Sequence, residues 1–190
     1  GIACYKLARH TEAIAAFTRA IDLNPQHAPI YLNRAMTKRE LGRLDSALGD
    51  CNLALAIDEE FPGAYAERAA IHVEADREAE AVADCGRALE LDGGNPLAFW
   101  VQAKLRLRAG ELHQAMQFLE SAVASDPTNL DIVRHRGDVH KELRNYKAAM
   151  ADYDRVLAVQ PGDRLARLRR IVAQQYDGDL EGALTQFNAA

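Results

Sequence analysis

Apolar residues recur at helical spacing in two runs across residues 96–129. The first run ends at Ala109, Gly110 interrupts it, and the second runs from Leu112 to Val123 and stops before Asp126-Pro127. Such a pattern predicts two amphipathic helices around a tight break. The chain entering a proline is steered out of the helical basin, so the second helix ends there. With Pro96 as position 1, this 34-residue frame matches in both directions without insertion or deletion. Full units span 28–61, 62–95, 96–129 and 130–163, with partial units at 1–27 and 164–190. The expected helices lie at about 28–41 and 45–58, 62–75 and 79–92, 96–109 and 113–126, and 130–143 and 147–160. Partial hairpins at 1–23 and 164–190 flank them.

Small residues recur where two helix backbones must approach closely. Position 20 is alanine in every unit: Ala13, Ala47, Ala81, Ala115, Ala149 and Ala183. Position 8 is Gly1, Ala35, Ala69, Ala103 and Gly137, with Ile171 the exception. Larger residues fall between them, with Phe17, Cys51, Cys85, Leu119, Tyr153 and Phe187 at position 24. A lone helical hairpin cannot bury its own apolar face, whereas stacked hairpins share a continuous core.

This period and helix-turn-helix pattern resembles the tetratricopeptide repeat (TPR). The resemblance implies an all-α fold, a right-handed superhelical solenoid of antiparallel helix-turn-helix repeats forming one domain over residues 1–190. It also implies a protein-interaction scaffold without catalysis of its own. The alternative reading is the partner- or substrate-docking arm of a larger enzyme. The chain opens at Gly1 without a methionine, so a fragment of a longer protein is expected.

Two positions depart from the family. Position 11 reads Cys4, Lys38, His72, Arg106, His140 and Gln174 where a large apolar residue is usual, and position 7 reads Arg34, Arg68, Gln102, Arg136 and Arg170. Position 23 is Asp50, Asp84 and Asp152 in three units that carry the arginine, and Phe118 in the unit that carries Gln102. A half-buried arginine without a carboxylate is costly. An Arg–Asp pair between the two helices of one hairpin is therefore expected, its rival being a basic ladder for an anionic ligand. The third unit departs furthest, with Asp76 at the usual turn glycine, Gly86 inside a helix and Asp92-Gly93-Gly94 in place of a proline stop.

Composition narrows the function classes. A net charge of −5 offers no electrostatic reason to expect a nucleic-acid partner. No apolar run reaches the length of a membrane span, so membrane insertion is not expected. Three scattered cysteines, Cys4, Cys51 and Cys85, argue against a disulfide framework and for a reducing, cytoplasmic setting. There is no phosphate-cradling glycine loop, no Gly-x-Ser-x-Gly and no His-Glu-x-x-His, so no catalytic residue, metal site or cofactor is expected.

The resemblance places the binding groove along the first helix of each hairpin. The residues it selects for peptide binding are Leu32, Asn33, Met36, Arg39, Ala66, Ala70, Val73, Trp100, Lys104, Leu107, Arg108, Arg134 and Lys141. Leu32, Met36, Ala66, Ala70, Val73, Trp100 and Leu107 would form an exposed apolar strip. Lys104, Arg108, Arg134 and Lys141 would form a basic patch beside it. The matching partner is a peptide with an apolar anchor and an acidic flank, and Trp100 is the expected hot spot. One TPR subset grips acidic chaperone tails through a carboxylate clamp. Asn33 fits that clamp but Ile2, Gly63 and Glu67 do not, so this mode is not expected. Self-association through uncapped repeat ends is a further expectation.

Overall fold

The computed structural model describes residues 9–180 together with 182 and 184. Ten helices are described among them, and they follow the repeat frame to within about a residue. They are α1 His10–Leu23, α2 Ala28–Glu40, α3 Leu44–Ile57, α4 Pro62–Glu74 and α5 Glu78–Leu91, then α6 Pro96–Arg108, α7 Leu112–Ser125, α8 Leu130–Glu142, α9 Tyr146–Val159 and α10 Arg164–Tyr176. The expectations for residues 1–8 and for the remainder of 181–190, including Cys4, Ala183 and Phe187, lie outside the described residues.

The chain groups into two compact units, residues 1–102 and 103–190. In the first, α2 packs on α3 and α4 on α5 as hairpins, α1 packs on α2 and α3 on α4 between hairpins, and α2 touches α4 directly. In the second, α8 packs on α9 as a hairpin, while α7 against α8 and α9 against α10 join neighbours. The small positions sit at these approaches. Ala13, Ala35, Ala47, Ala69, Ala81, Ala115 and Ala149 have no exposed surface. Ala35, Ala47, Cys51 and Ile71 form one core cluster of the first unit, and Ala149, Tyr153 and Ala173 one of the second.

Among the described residues, the hairpins turn through a left-handed residue at position 15. Gly42, Gly110 and Gly178 take φ of 69°, 75° and 99° there, as glycine does without steric cost. Asp76 and Arg144 hold the same conformation at φ of 56° and 62°, where a side chain is strained and arginine more so than aspartate. The following N–H closes the turn on the carbonyl of position 11, as Arg43 to Lys38 at 2.9 Å, Arg77 to His72 at 2.8 Å and Asn145 to His140 at 2.8 Å. This is the six-to-one bond of a Schellman cap.

Between hairpins, position 31 recruits an aspartate side chain. Asp58 accepts from the Glu60 N–H, Asp92 from Gly94 and Asp126 from Thr128, each at 3.1 Å. The Asp92-Gly93-Gly94 departure is thus the same Asx turn used next to a proline elsewhere. Asn95 then caps α6 by accepting from the Ala98 N–H at 3.0 Å.

Candidate functional site

The polar positions that interrupt the apolar stripe meet one another. Arg34 donates through Nε and Nη2 to the two oxygens of Asp50 at 2.8 and 2.7 Å. Arg68 does the same to Asp84 at 2.7 Å for both bonds, and Arg136 to Asp152 at 2.9 and 2.5 Å. These bidentate pairs carry the hairpin-internal role expected for positions 7 and 23. The aspartates are nearly sealed from solvent, so a basic ladder open to an anionic ligand is not what the arginines form.

Arg34 and Arg68 also reach back to the preceding hairpin at position 25. Arg34 Nη1 donates to Thr18 Oγ1 at 3.1 Å, and Arg68 Nη1 to Asn52 Oδ1 at 2.8 Å. Arg170 bonds Asp154 at the same step of the frame. One guanidinium therefore ties two helices of its own hairpin to the one before. The hydrogen bond to Asp50 or Asp84 outweighs the desolvation of Arg34 or Arg68 and raises its pKa. The rings of Tyr31 and Tyr65 lie under these guanidinium groups at 5.7 and 5.4 Å.

Position 11 joins the same node. Lys38 Nζ is 2.7 Å from Asp50, and His72 Nε2 is 3.7 Å from Asp84. Burial lowers the pKa of His72 and of His140 below the ordinary imidazole value, against the opposing pull of Asp84 and Asp152. His135 is lowered by burial as well. The sign follows directly. The unfolded chain binds these protons near the ordinary histidine pKa and the folded chain binds them at lower pH. In that window the unfolded state holds more protons, and stability rises with pH. We expect stability to fall as pH drops from 7 to 5.5, by at most about 1.4 kcal/mol per pH unit per histidine, with Tm falling alongside. The double substitution His72→Gln and His140→Gln should flatten the profile in differential scanning fluorimetry, and an unchanged slope would contradict the assignment.

On the first-helix faces of unit 1, Arg39 on α2 donates to Glu67 at 2.6 Å and to Glu74 at 2.8 Å, both on α4. Burial alone would lower the Arg39 pKa, but the two carboxylates outweigh it and raise it. Glu67 is 1% exposed, and burial raises its pKa against the pull of Arg39. Arg39 is thus engaged between hairpins. Leu32, Asn33 and Met36 are half-buried. Leu32 leans over Gly63, where a Cβ would lie 3.2 Å from its Cδ2.

The expected exposed strip needs correction here. Ala66 and Val73 have no exposed surface and Ala70 has 4%. Ala66 packs with Ala88 of α5 and Ala98 of α6 in one core cluster, and Ala70 and Val73 are buried on the same helix, so all three belong to the core. Trp100, Lys104 and Leu107 on α6 are half-buried, and Arg108 is exposed. Their spacing of four, three and one residues keeps them on one side of that helix.

In unit 2 the expected basic patch also changes. Arg134 bonds Asp131 at 2.5 Å and Asp163 at 3.2 Å, while Lys141 lies 3.3 Å from Glu142. Their charge is met locally, that of Lys141 by Glu142 of the same face and that of Arg134 by Asp131 and Asp163. Asp138 gathers a second network, accepting from Tyr153 Oη at 2.8 Å and from Arg169 at 2.5 Å. Burial, then the bond to Asp138, raises the Tyr153 pKa.

Cys51 and Cys85 are buried and pack as small residues. Burial pushes the Cys85 thiol up to about 12 and Cys51 higher still, so neither is a ready thiolate. No group of three or more His, Cys, Asp or Glu is arranged for a metal among the described residues, and no described helix is long and apolar enough to cross a membrane.

Models of the tetratricopeptide repeat match residues 1–65 and 106–174. A human protein, DnaJ homolog subfamily C member 7, is 41% identical over 59 residues, covering 31% of this chain and 12% of that protein. The tetratricopeptide repeat and J domain-containing co-chaperone DNJ1 of Fusarium oxysporum is 30% identical over 84 residues, 44% of this chain and 16% of the relative. The matched stretch therefore covers less than a fifth of the length of either relative. A thermophilic TPR protein of Thermus thermophilus superposes with a TM-score of 0.78 at 22% identity, over 92% of this chain and 95% of that one.

Proposed function

Because the chain belongs to the tetratricopeptide repeat family, whose repeats are generally protein-interaction scaffolds and not enzymes, we propose that it binds a partner segment along the first helices of its hairpins. The observation that supports this is the fate of the polar groups on those faces. Arg39, Glu67 and Glu74 in unit 1, and Asp138 and Arg169 in unit 2, are joined across successive hairpins. Ordered charge pairs of this kind hold a surface in one conformation, which lowers the entropy lost when a partner binds.

The apolar contribution then comes from Leu32 and Met36 on α2 and from Trp100 and Leu107 on α6. Lys104 and Arg108 on α6 would meet an acidic flank. Asn33 donates to the Pro29 carbonyl at 2.8 Å and supports the α2 face. In the first unit Ala66, Ala70 and Val73 act beneath the face and Arg39 acts within it as a paired charge, and in the second unit Arg134 and Lys141 are paired charges. The test compares wild-type chain with Trp100→Ala and with Lys104→Glu plus Arg108→Glu on a peptide array. Loss of the same peptides in both variants, with helical circular dichroism retained, is the expected result. Peptides kept by both folded variants would remove the site from α6.

A further inference from the structure

Along α10, Leu165, Leu168, Val172 and Tyr176 fall on one side at steps of three and four residues. Three of them hold much of their surface in solvent: Leu165 46%, Leu168 48% and Tyr176 65%. Ala166, Ile171 and Ala173 supply the core contacts of the same helix. The Tyr176 ring stacks on Tyr146 with centroids 5.7 Å apart. The strip thus leads to a cavity of about 350 Å³ lined in part by Arg144, Tyr146, Lys147 and Asp177. Arg144 and Lys147 are exposed and make no ion pair among the described residues.

We propose that this strip docks an amphipathic helix of a partner protein, whose acidic end is received by Arg144 and Lys147. The spacing selects a helix. Apolar side chains on α10 step by about 4.5 and 6 Å along its axis at a rise of about 1.5 Å per residue, which another helix reproduces with residues three and four apart. An extended segment presents same-side residues only every ~6.8 Å. The sign of the end group follows from charge, since among the described lining residues two cations, Arg144 and Lys147, stand beside one carboxylate, Asp177. This inference deepens the scaffold reading and rests on it, but it does not depend on Trp100.

The experiment uses two fluorescein-labelled synthetic helices with leucines at i, i+3 and i+7. One ends in three glutamates and its twin in three lysines. Each is titrated by anisotropy against the full chain, with sedimentation velocity on the same samples. The glutamate-ended helix is expected to bind, at least tenfold more tightly than its twin. Leu168→Glu should weaken that binding at least tenfold, and its half-exposed site lets the fold persist, as circular dichroism checks. Arg144→Glu with Lys147→Glu should reverse the preference between the two helices. Equal binding of the two helices, or no effect of Leu168→Glu, overturns the proposal. So does a dimer that Leu168→Glu dissociates, because a second copy then covers the strip. Binding lost in Trp100→Ala and kept in Leu168→Glu sinks the strip and leaves the α6 site standing. Failure of both helices to bind sinks the strip too, while the peptide array judges the α6 site separately.

Discussion

Asp84→Ala should destabilise the chain by about 3–5 kcal/mol, the cost of removing one partner from a buried ion pair. The substitution leaves the Arg68 guanidinium with Asn52 alone and takes the carboxylate from beside His72. For a chain of this size about 3–5 kcal/mol corresponds to a fall in Tm of roughly 10 °C. The informative comparison is Asp84→Leu combined with Arg68→Met. Removing both charges together should recover most of the loss, since an apolar pair of similar volume avoids the desolvation penalty. Urea denaturation of the two singles and the double gives the coupling energy, and additive losses would show that the pair does not act as a unit. Repeat arrays can unfold in stages, so the transition is followed by two probes.

Gly137→Ala should also lower stability, although alanine is worth about 1 kcal/mol over glycine inside a helix. A Cβ at Gly137 would lie 2.9 Å from Tyr153 Cε1 and 3.2 Å from Asp152 Cβ. Tyr153 cannot retreat, because it is fully buried and its hydroxyl is held by Asp138. Overpacking of this kind costs about 1–3 kcal/mol, and Gly137→Val should sit at or above the top of that range. Adding Tyr153→Leu to Gly137→Ala reproduces the Ala103 and Leu119 combination of the preceding unit and should restore part of the loss. A Gly137→Ala chain more stable than wild type would mean that helix propensity outweighs the clash.

This exchange between positions 8 and 24 is legible once its reason is known. Alanine at position 8 accompanies Cys51, Cys85 or Leu119, whereas Gly137 accompanies Tyr153 and Gly1 accompanies Phe17, with Ile171 and Phe187 the exception. At Gly137 the Tyr153 ring takes the space of the missing Cβ. The Arg–Asp pairs were legible for a similar reason, because aspartate at position 23 disappears in the unit that has Gln102. The anchor of Arg34, Arg68 and Arg170 at position 25 was not, since Thr18, Asn52 and Asp154 share hydrogen-bonding capacity but not residue type. Glycine is the usual residue at position 15, and Asp76 and Arg144 show that the backbone keeps its left-handed bend without glycine when both flanking helices demand it.

The face assigned to binding was only partly legible. The resemblance to the family places Ala66, Ala70, Val73, Arg39 and Arg134 at groove positions, yet the first three are core and the last two are paired. The exposed apolar side of α10 obeys the same helical spacing and differs only in what lies over it.

The sequence by itself determined the repeat, the ends of its helices, the close approach of small residues and the Arg–Asp pairs inside three of the hairpins. Those contacts join residues at one constant separation, 16 for every Arg–Asp pair, so a 34-residue period states them again in each unit. The tertiary structure decided which polar groups on the first helices meet between hairpins and which apolar groups stay in solvent. Such contacts join residues 28, 31 or 35 apart. Which separation is used depends on side-chain length and on how nearly two helices approach, and neither quantity repeats with the period.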